Sequence, residues 1–157
     1  GSRGLGDVYK RQIINSADIQ FIPLITGQFA CIIPTNNKLA SHHAVSISDL
    51  KHETIILFNS NICPPRQFKL QQFIKQACPD ANYLYSDSVL LSHTLVKGGL
   101  GIAIMVDLAS VNDANNFKVV PLTYPDHTPY IYGVAFLKTN HNPALKEFIT
   151  CAKKNFI

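Results

Sequence analysis

The stretch Tyr83–Met105, YLYSDSVLLSHTLVKGGLGIAIM, decides how this chain is read. Tyr83, Leu84 and Tyr85 read as a strand, and Ser86, Asp87 and Ser88 form a polar cluster that can start a helix. An apolar helical run follows, closed by Gly98, Gly99, Leu100 and Gly101 ahead of a second apolar strand, Ile102–Met105. Asp87 or Ser88 can accept a hydrogen bond from a first-turn amide, and Gly98 or Gly99 can take the left-handed conformation that ends a helix. Gly101 lets the next strand start close against the helix. The stretch is therefore a strand, helix, strand unit. Its helix start points amides and a positive partial charge at whatever lies above the sheet edge, where a small anionic or polar ligand is the natural occupant.

Working upstream, Thr54–Phe58 (TIILF) is a second apolar strand that empties into Asn59, Ser60 and Asn61, a loop rich in side-chain donors and acceptors. Pro64 and Pro65 restart the chain, and Pro at a first helical position suits a helix over Pro65–Cys78. Its expected buried stripe is Phe68, Leu70, Phe73, Ile74 and Ala77. Further back, Gln28–Pro34 (QFACIIP) is a continuous apolar strand of the kind buried on both faces. Val45–Leu50 (VSISDL) reads as a short helical turn capped by Ser46 or Ser48, and Phe21–Leu24 as a short strand broken by Pro23. Downstream come a short helix over Val106–Ala109, a polar loop over Asn112–Asn116, a strand over Phe117–Leu122 and a loop over Asp126–Pro129. A long apolar strand, Tyr130–Leu137, precedes a helix started by Asn142 and Pro143, with Leu145, Phe148, Ile149 and Ala152 as its buried stripe. Strands alternate with helices, which argues for an α/β layered fold with largely parallel pairing.

The first residues stand apart. Ser2–Gln12, SRGLGDVYKRQ, is similar to a translated reading frame of the transposon-end adapter used in sequencing libraries, so Gly1–Gln12 is expected to be a non-native leader replacing the true N-terminus. The leader carries Arg3, Lys10 and Arg11 against Asp7, which is +2 of the formal +4, and leaves +2 for the rest. Without a Lys/Arg cluster that remainder has no electrostatic footprint for nucleic acid. Its apolar runs are too short to span a membrane. Cys31, Cys63, Cys78 and Cys151 are scattered, with no CxxC pair, and Cys31 and Cys151 read as buried small hydrophobes, which fits a reducing compartment. His42 and His43 are adjacent and diverge, and His52, His127 and His141 read as solvated loop residues. His93 is expected on an exposed or lobe-facing side of its helix. These positions give no metal or cofactor site. No nucleophile with an orienting acid, phosphate loop or carboxylate pair is present, so no catalytic residue is assigned and the chain is read as a non-enzyme.

Set side by side, CIIPTNNKLA, VSISDL, TIILF, YSDSVLLSHTLVKGGLGIAIMVD, VVPL, YGVAFLKTN and NPALKEFI resemble, in order and spacing, the effector-binding domain of LysR-type transcriptional regulators. The most telling parts are Pro34 with Leu39 and Ala40, the Asp49–Leu50 pair and the GGLGIAI run. Val106 departs from the family's usual proline after that strand. The resemblance implies a two-lobed, type II periplasmic-binding-protein-like α/β domain with a small-molecule effector in the interlobe cleft. It places a partial first lobe at 13–40, a complete second lobe at 41–122 and a return to the first lobe at 123–157. The implied effector-binding residues are Asn59, Ser60, Asn61, Ser86, Asp87 and Ser88, with Asp87 equally readable as a cap alone. DNA would be contacted only through a winged helix-turn-helix domain missing upstream, in a cytoplasmic, bacterial, full-length homodimer or homotetramer. Two other readings share the fold. One is the solute-binding protein of a transporter. The other is a thiol redox sensor using Cys63, whose partner Cys78 lies across a helix, about 20 Å away at roughly 1.5 Å per residue, whereas bridged Cα atoms approach to about 5 to 6 Å.

Overall fold

The computed structural model describes residues 18–109, 113–126 and 128–156. The chain divides into two compact units, one running to Gly27 and resuming at Pro129, the other formed by Gln28–Thr128.

The Gln28–Thr128 unit is built on one six-stranded sheet. Its strands are β2 (Phe29–Pro34), β3 (Val45–Ser46), β4 (Thr54–Phe58), β5 (Asn82–Ser86), β6 (Ile102–Val106) and β7 (Phe117–Thr123). Their order is β3-β7-β2-β6-β4-β5. Helix α1 (Pro65–Ala77) connects β4 to β5, and α2 (Val89–Lys97) connects β5 back past β4 to β6. Those two crossovers run in opposite directions along the sheet, so right-handed connections place their helices on opposite faces. Each strand must then be apolar on both faces. All six residues of β2 and all five of β6 are buried.

Alternation along the strands sorts these residues into two layers. Ile32, Ile56, Phe58, Ala103, Met105 and Phe117 form a buried cluster with Val96 of α2, and Cys63, Val89 and Leu95 pack against it. The intervening Ile33, Ile55, Ile102 and Ile104 are as deeply buried, as are Leu70 and Ile74 of α1. Burial of one such side chain stabilises by about 1.5–3 kcal/mol.

The expected largely parallel pairing is met in part. β4 is parallel to β5 and β6, and β3 to β7, but β2 runs antiparallel to both its neighbours, β6 and β7. Two-face burial in β2 comes from its central place in the sheet, and that place does not require parallel neighbours. Phe29–Pro34, read above with the partial first lobe at 13–40, is part of the six-stranded sheet, and the two units part at Gly27/Gln28 and at Thr128/Pro129.

Local expectations are met at several points. Pro65 occupies the first turn of α1. Ser46 starts a 3-10 turn over Ile47–Leu50, its N–H and Oγ both donating to Asp49 Oδ2 at 2.9 Å. Leu39 and Ala40 are buried in a 3-10 turn capped by Asn37 Oδ1, which accepts from Leu39 N at 2.9 Å. At the end of α2 it is Gly99 that turns left-handed, at φ 75°. Gly101 lies where a Cβ would sit 2.6 Å from the Thr54 carbonyl oxygen, so β6 can approach β4 only with glycine there. Val106, in place of the expected proline, extends β6 by one residue, after which Asp107–Ala109 form a 3-10 turn.

The other unit holds β1 (Ile19–Gly27), β8 (Tyr130–Leu137) and α3 (Pro143–Phe156). β1 and β8 are antiparallel, with an irregularity between Pro23 and Ile25. Pro23 does not break the strand, because among the described residues β1 pairs with β8 alone and needs no N–H on its other edge. Of the expected α3 stripe, Ala152 is buried and Leu145 and Ile149 half-buried, whereas Phe148 is exposed. Cys151, expected inside, is exposed. The leader Gly1–Gln12, His127 and Asn112 lie outside the described residues.

Candidate functional site

The parallel register of β4 and β5, from Thr54 opposite Asn82 to Phe58 opposite Ser86, brings their two following loops out side by side. Asn59 N–H donates to the Ser86 carbonyl at 3.0 Å and extends the ladder by one residue. Beyond it the Asn59 side-chain amide donates to Asp87 Oδ1, joining the loops. Ile62 N–H returns to the Asn59 carbonyl at 3.1 Å, which closes a turn around Ser60 and Asn61.

The six residues expected at the site are thus neighbours in two adjoining loops, but they do different things. Ser86 is fully buried, and its hydroxyl donates to the Ser88 carbonyl at 2.7 Å while accepting from Ser88 N–H at 3.3 Å. It shapes the loop and is closed to a ligand. Ser88 is the helix cap, its Oγ accepting from Leu91 N–H at 3.0 Å. Asp87, left between cap and ligand contact by the sequence, is not the cap and holds Asn59. Ser60, Asn61, Asp87 and Ser88 are exposed and Asn59 half-buried. Their exposed atoms offer carboxylate, amide and hydroxyl groups next to the start of α2, where first-turn amides lack intrahelical partners.

A groove of about 440 Å³ adjoins this loop pair. Asn59 and Ser60 lie at one end, and Phe68, Gln72 and Lys75 of α1 and Tyr85 of β5 form its walls. The Lys75 ammonium sits 5.3 Å from the centre of the Tyr85 ring. Sequence reasoning missed this wall because it assigned Phe68 and Phe73 to the core, whereas both are exposed, as is Ala77. The buried stripe of α1 is Gln67, Leu70, Gln71 and Ile74. That spacing is a proper helical face, and it was hidden because two of its members are glutamines.

At the other end of α1, the Arg66 guanidinium donates to the Thr128 carbonyl and lies 6.0 Å from the centre of the Phe29 ring. Hydrogen bonds from Thr128 hold the Asp126 carboxyl below the usual carboxylate range, with Arg66 and Lys69 adding to the effect. His93 is half-buried and stacked on Phe117, ring centres 5.2 Å apart, on the lobe-facing side of its helix. Burial, with a smaller contribution from Lys97, lowers its pKa.

Among the described residues no group of three His, Cys, Asp or Glu side chains converges on a metal position, and no helix is long and apolar enough to cross a membrane. No disulfide joins any of the four cysteines among the described residues. Cys63 and Cys78 flank the 13-residue α1, and the Cys78 thiol is buried and donates to the Ile47 carbonyl at 3.3 Å. Burial raises its pKa, which disfavours the reactive thiolate.

A mixed α/β sheet in a chain that passes twice between two units, with polar loops at the carboxyl ends of adjacent parallel strands, defines the type II periplasmic-binding-protein class. The chain belongs to the LysR substrate binding domain family, which matches residues 7–157 and so begins within the suspected leader. Among solved structures it is similar to the CcmR regulatory domain of Synechocystis PCC6803 in complex with 2-PG. The identity is 15% and the TM-score 0.64, over 96% of this chain and 79% of that one. The effector binding domain of QuiR in complex with shikimate gives 24% and 0.58, over 98% and 78%. The reduced OxyR regulatory domain from Pseudomonas aeruginosa gives 15% and 0.55, over 94% and 78%. At these identities the likeness is one of fold. No curated protein sequence matches the chain. The family makes this chain an effector-binding domain of a LysR-type regulator, and the redox and transporter readings gain no support from it.

Proposed function

We propose that this domain senses a small metabolite bound against the paired loops after β4 and β5, on the wall that the Gln28–Thr128 unit contributes to the family's interlobe cleft. The contacting residues are Asn59, Ser60, Asn61, Asp87 and Ser88, with Ser86 holding the loop from below. The observation that carries this reading is the joining of the loops, with Asn59 tied to both Ser86 and Asp87. Short polar side chains held by a rigid sheet end suit recognition of a small polar molecule. Asp87 makes a neutral, hydroxyl- or amide-bearing effector a better fit at its subsite than a strongly anionic one, since two negative charges repel at short range.

Binding would bias the relative disposition of the two units, and through it the pairing of protomers and the presentation of a DNA-binding winged helix-turn-helix domain elsewhere in the polypeptide. On this reading the protein is a cytoplasmic homo-oligomeric regulator that performs no catalysis. A thermal-shift screen of small metabolites tests the assignment. A hit that stabilises the wild-type chain is expected to lose at least tenfold in affinity in both Asn59→Ala and Ser88→Ala. Wild-type affinity in both variants would overturn it.

A further inference from the structure

The two glutamines buried in α1 are 2% and 4% exposed, and together they make a bridge that the fold alone does not require. The parallel ladder between β4 and β6 pairs only Ile55 with Ile102 and Ile56 with Ala103. Beyond it the strands are joined through side chains. Phe58 N–H donates to Gln71 Oε1 at 2.9 Å, and Gln71 Nε2 donates to the Phe58 carbonyl at 2.9 Å. Gln67 Nε2 donates to Gln71 Oε1 at 3.1 Å and to the Ile104 carbonyl at 2.9 Å. One amide thus imitates a strand partner for Phe58, and the other anchors that amide to β6.

The place of this bridge matters because β4 and β6 feed connections that leave in opposite directions, β4 towards β5 and β6 towards β7. At such a point the strand ends separate and the backbone loses its neighbour. Buried N–H and C=O groups that lose a hydrogen bond destabilise the fold. An apolar residue at 71 of similar volume would remove both of these bonds to Phe58. Phe58 is followed directly by Asn59, whose N–H is bound to Ser86 and whose side chain is bound to Asp87.

We infer that Gln71, braced by Gln67, is the positioning residue of the effector site, fixing the Phe58 peptide and thereby the placement of Asn59 against Asp87. The inference rests on the proposed function for its meaning, but its test needs no effector, so failure of one leaves the other standing. Gln71 holds the Phe58 backbone by two hydrogen bonds and lines the groove beside Asn59 and Ser60, and a merely structural role predicts a different pattern of protection. If Gln71 only contributed to core stability, its loss would lower protection across the unit in proportion to stability. If it positions the loop, the loss concentrates at the loop.

Amide hydrogen exchange on the intact chain distinguishes these, comparing Gln71→Leu with Leu70→Ala, a neighbouring core truncation that touches neither Phe58 nor Asn59 by any bond described above. In Gln71→Leu, protection at Phe58, Asn59 and Ile62 is expected to fall at least tenfold further than at amides in the centre of β2 and β6. In Leu70→Ala the fall should be even across all of them. An even fall in Gln71→Leu, or wild-type protection at Phe58, Asn59 and Ile62, would overturn the proposal. Should Gln71→Leu not fold, Gln67→Leu carries the test. It keeps both Phe58 contacts but removes their brace, and a loop-specific loss of about threefold is expected, with unchanged loop protection counting against the bridge.

Discussion

At the scale of single residues, the helix cap and two titrating groups give distinct expectations. Ser88 Oγ is the acceptor for Leu91 N–H, and removing such a cap costs about 1 kcal/mol. Chemical denaturation of Ser88→Ala should show that loss without a change in slope. His93 is held with a pKa below its ordinary value by burial and by Lys97. The folded state therefore resists protonation, so stability is full above the unfolded-state pKa, about 6.5, and falls as pH drops through it towards the lower folded value. His93→Gln should flatten the stability profile below about pH 6.5. A profile as steep as that of the wild type would mean another group is responsible. Asp49 works on a lower range. Hydrogen bonds from Ser46 depress its pKa, so its contribution is present above the ordinary carboxylate range and disappears as pH falls through the folded value.

Much at this scale was legible and some was not. The polar triplet Ser86–Ser88 could be read as a helix start, because short polar residues before an apolar run have few other reasons to cluster. That Ser86 turns inward while Asp87 turns towards Asn59 depends on the neighbouring strand's loop, about which local sequence says nothing. Local sequence leaves His93 between an exposed and a lobe-facing side because its partner, the Phe117 ring, comes from a strand far along the chain.

At the scale of elements, close backbone approach separates two glycines. A Cβ at Gly101 would meet the Thr54 carbonyl oxygen at 2.6 Å, while at Gly98 the nearest atoms are 3.5 Å away and φ is −74°. Gly101→Ala should therefore destabilise by about 1–3 kcal/mol, as overpacking against backbone does, and Gly98→Ala should be near neutral. Equal melting temperatures for the two variants would contradict the packing described for β6 against β4. Strands and helices were readable because apolar runs and prolines mark them directly. The face of α1 was not, since periodicity counts apolar residues and here Gln67 and Gln71 occupy core positions by satisfying strand ends. Likewise β2 carried a clear strand signal but no signal of direction, and its antiparallel pairing emerges from contacts with β6 and β7 far along the chain.

At the scale of the whole molecule, the order of the motifs revealed the family before any coordinates did, because a particular succession of strand ends and turns is much rarer than any one of them. The two compact units part at Gly27/Gln28, ahead of Pro34. Pro34 looks like a boundary, but β2 before it is wedged between β6 and β7, and strand pairing outweighs the local turn signal. The cysteines bear on function at this scale. With Cys78 buried at the far end of α1 from Cys63, peroxide should leave the chain without a Cys63–Cys78 bridge, which mass spectrometry of the unreduced protein would detect.

The central claim is that the loops after β4 and β5 hold the effector, and the most direct measurement is a crystal structure of the full-length protein with a metabolite that stabilises it. The account predicts the bound molecule within hydrogen-bonding distance of Asn59 and of Asp87 or Ser88. A molecule bound with full occupancy elsewhere, with those three side chains unengaged, would contradict it.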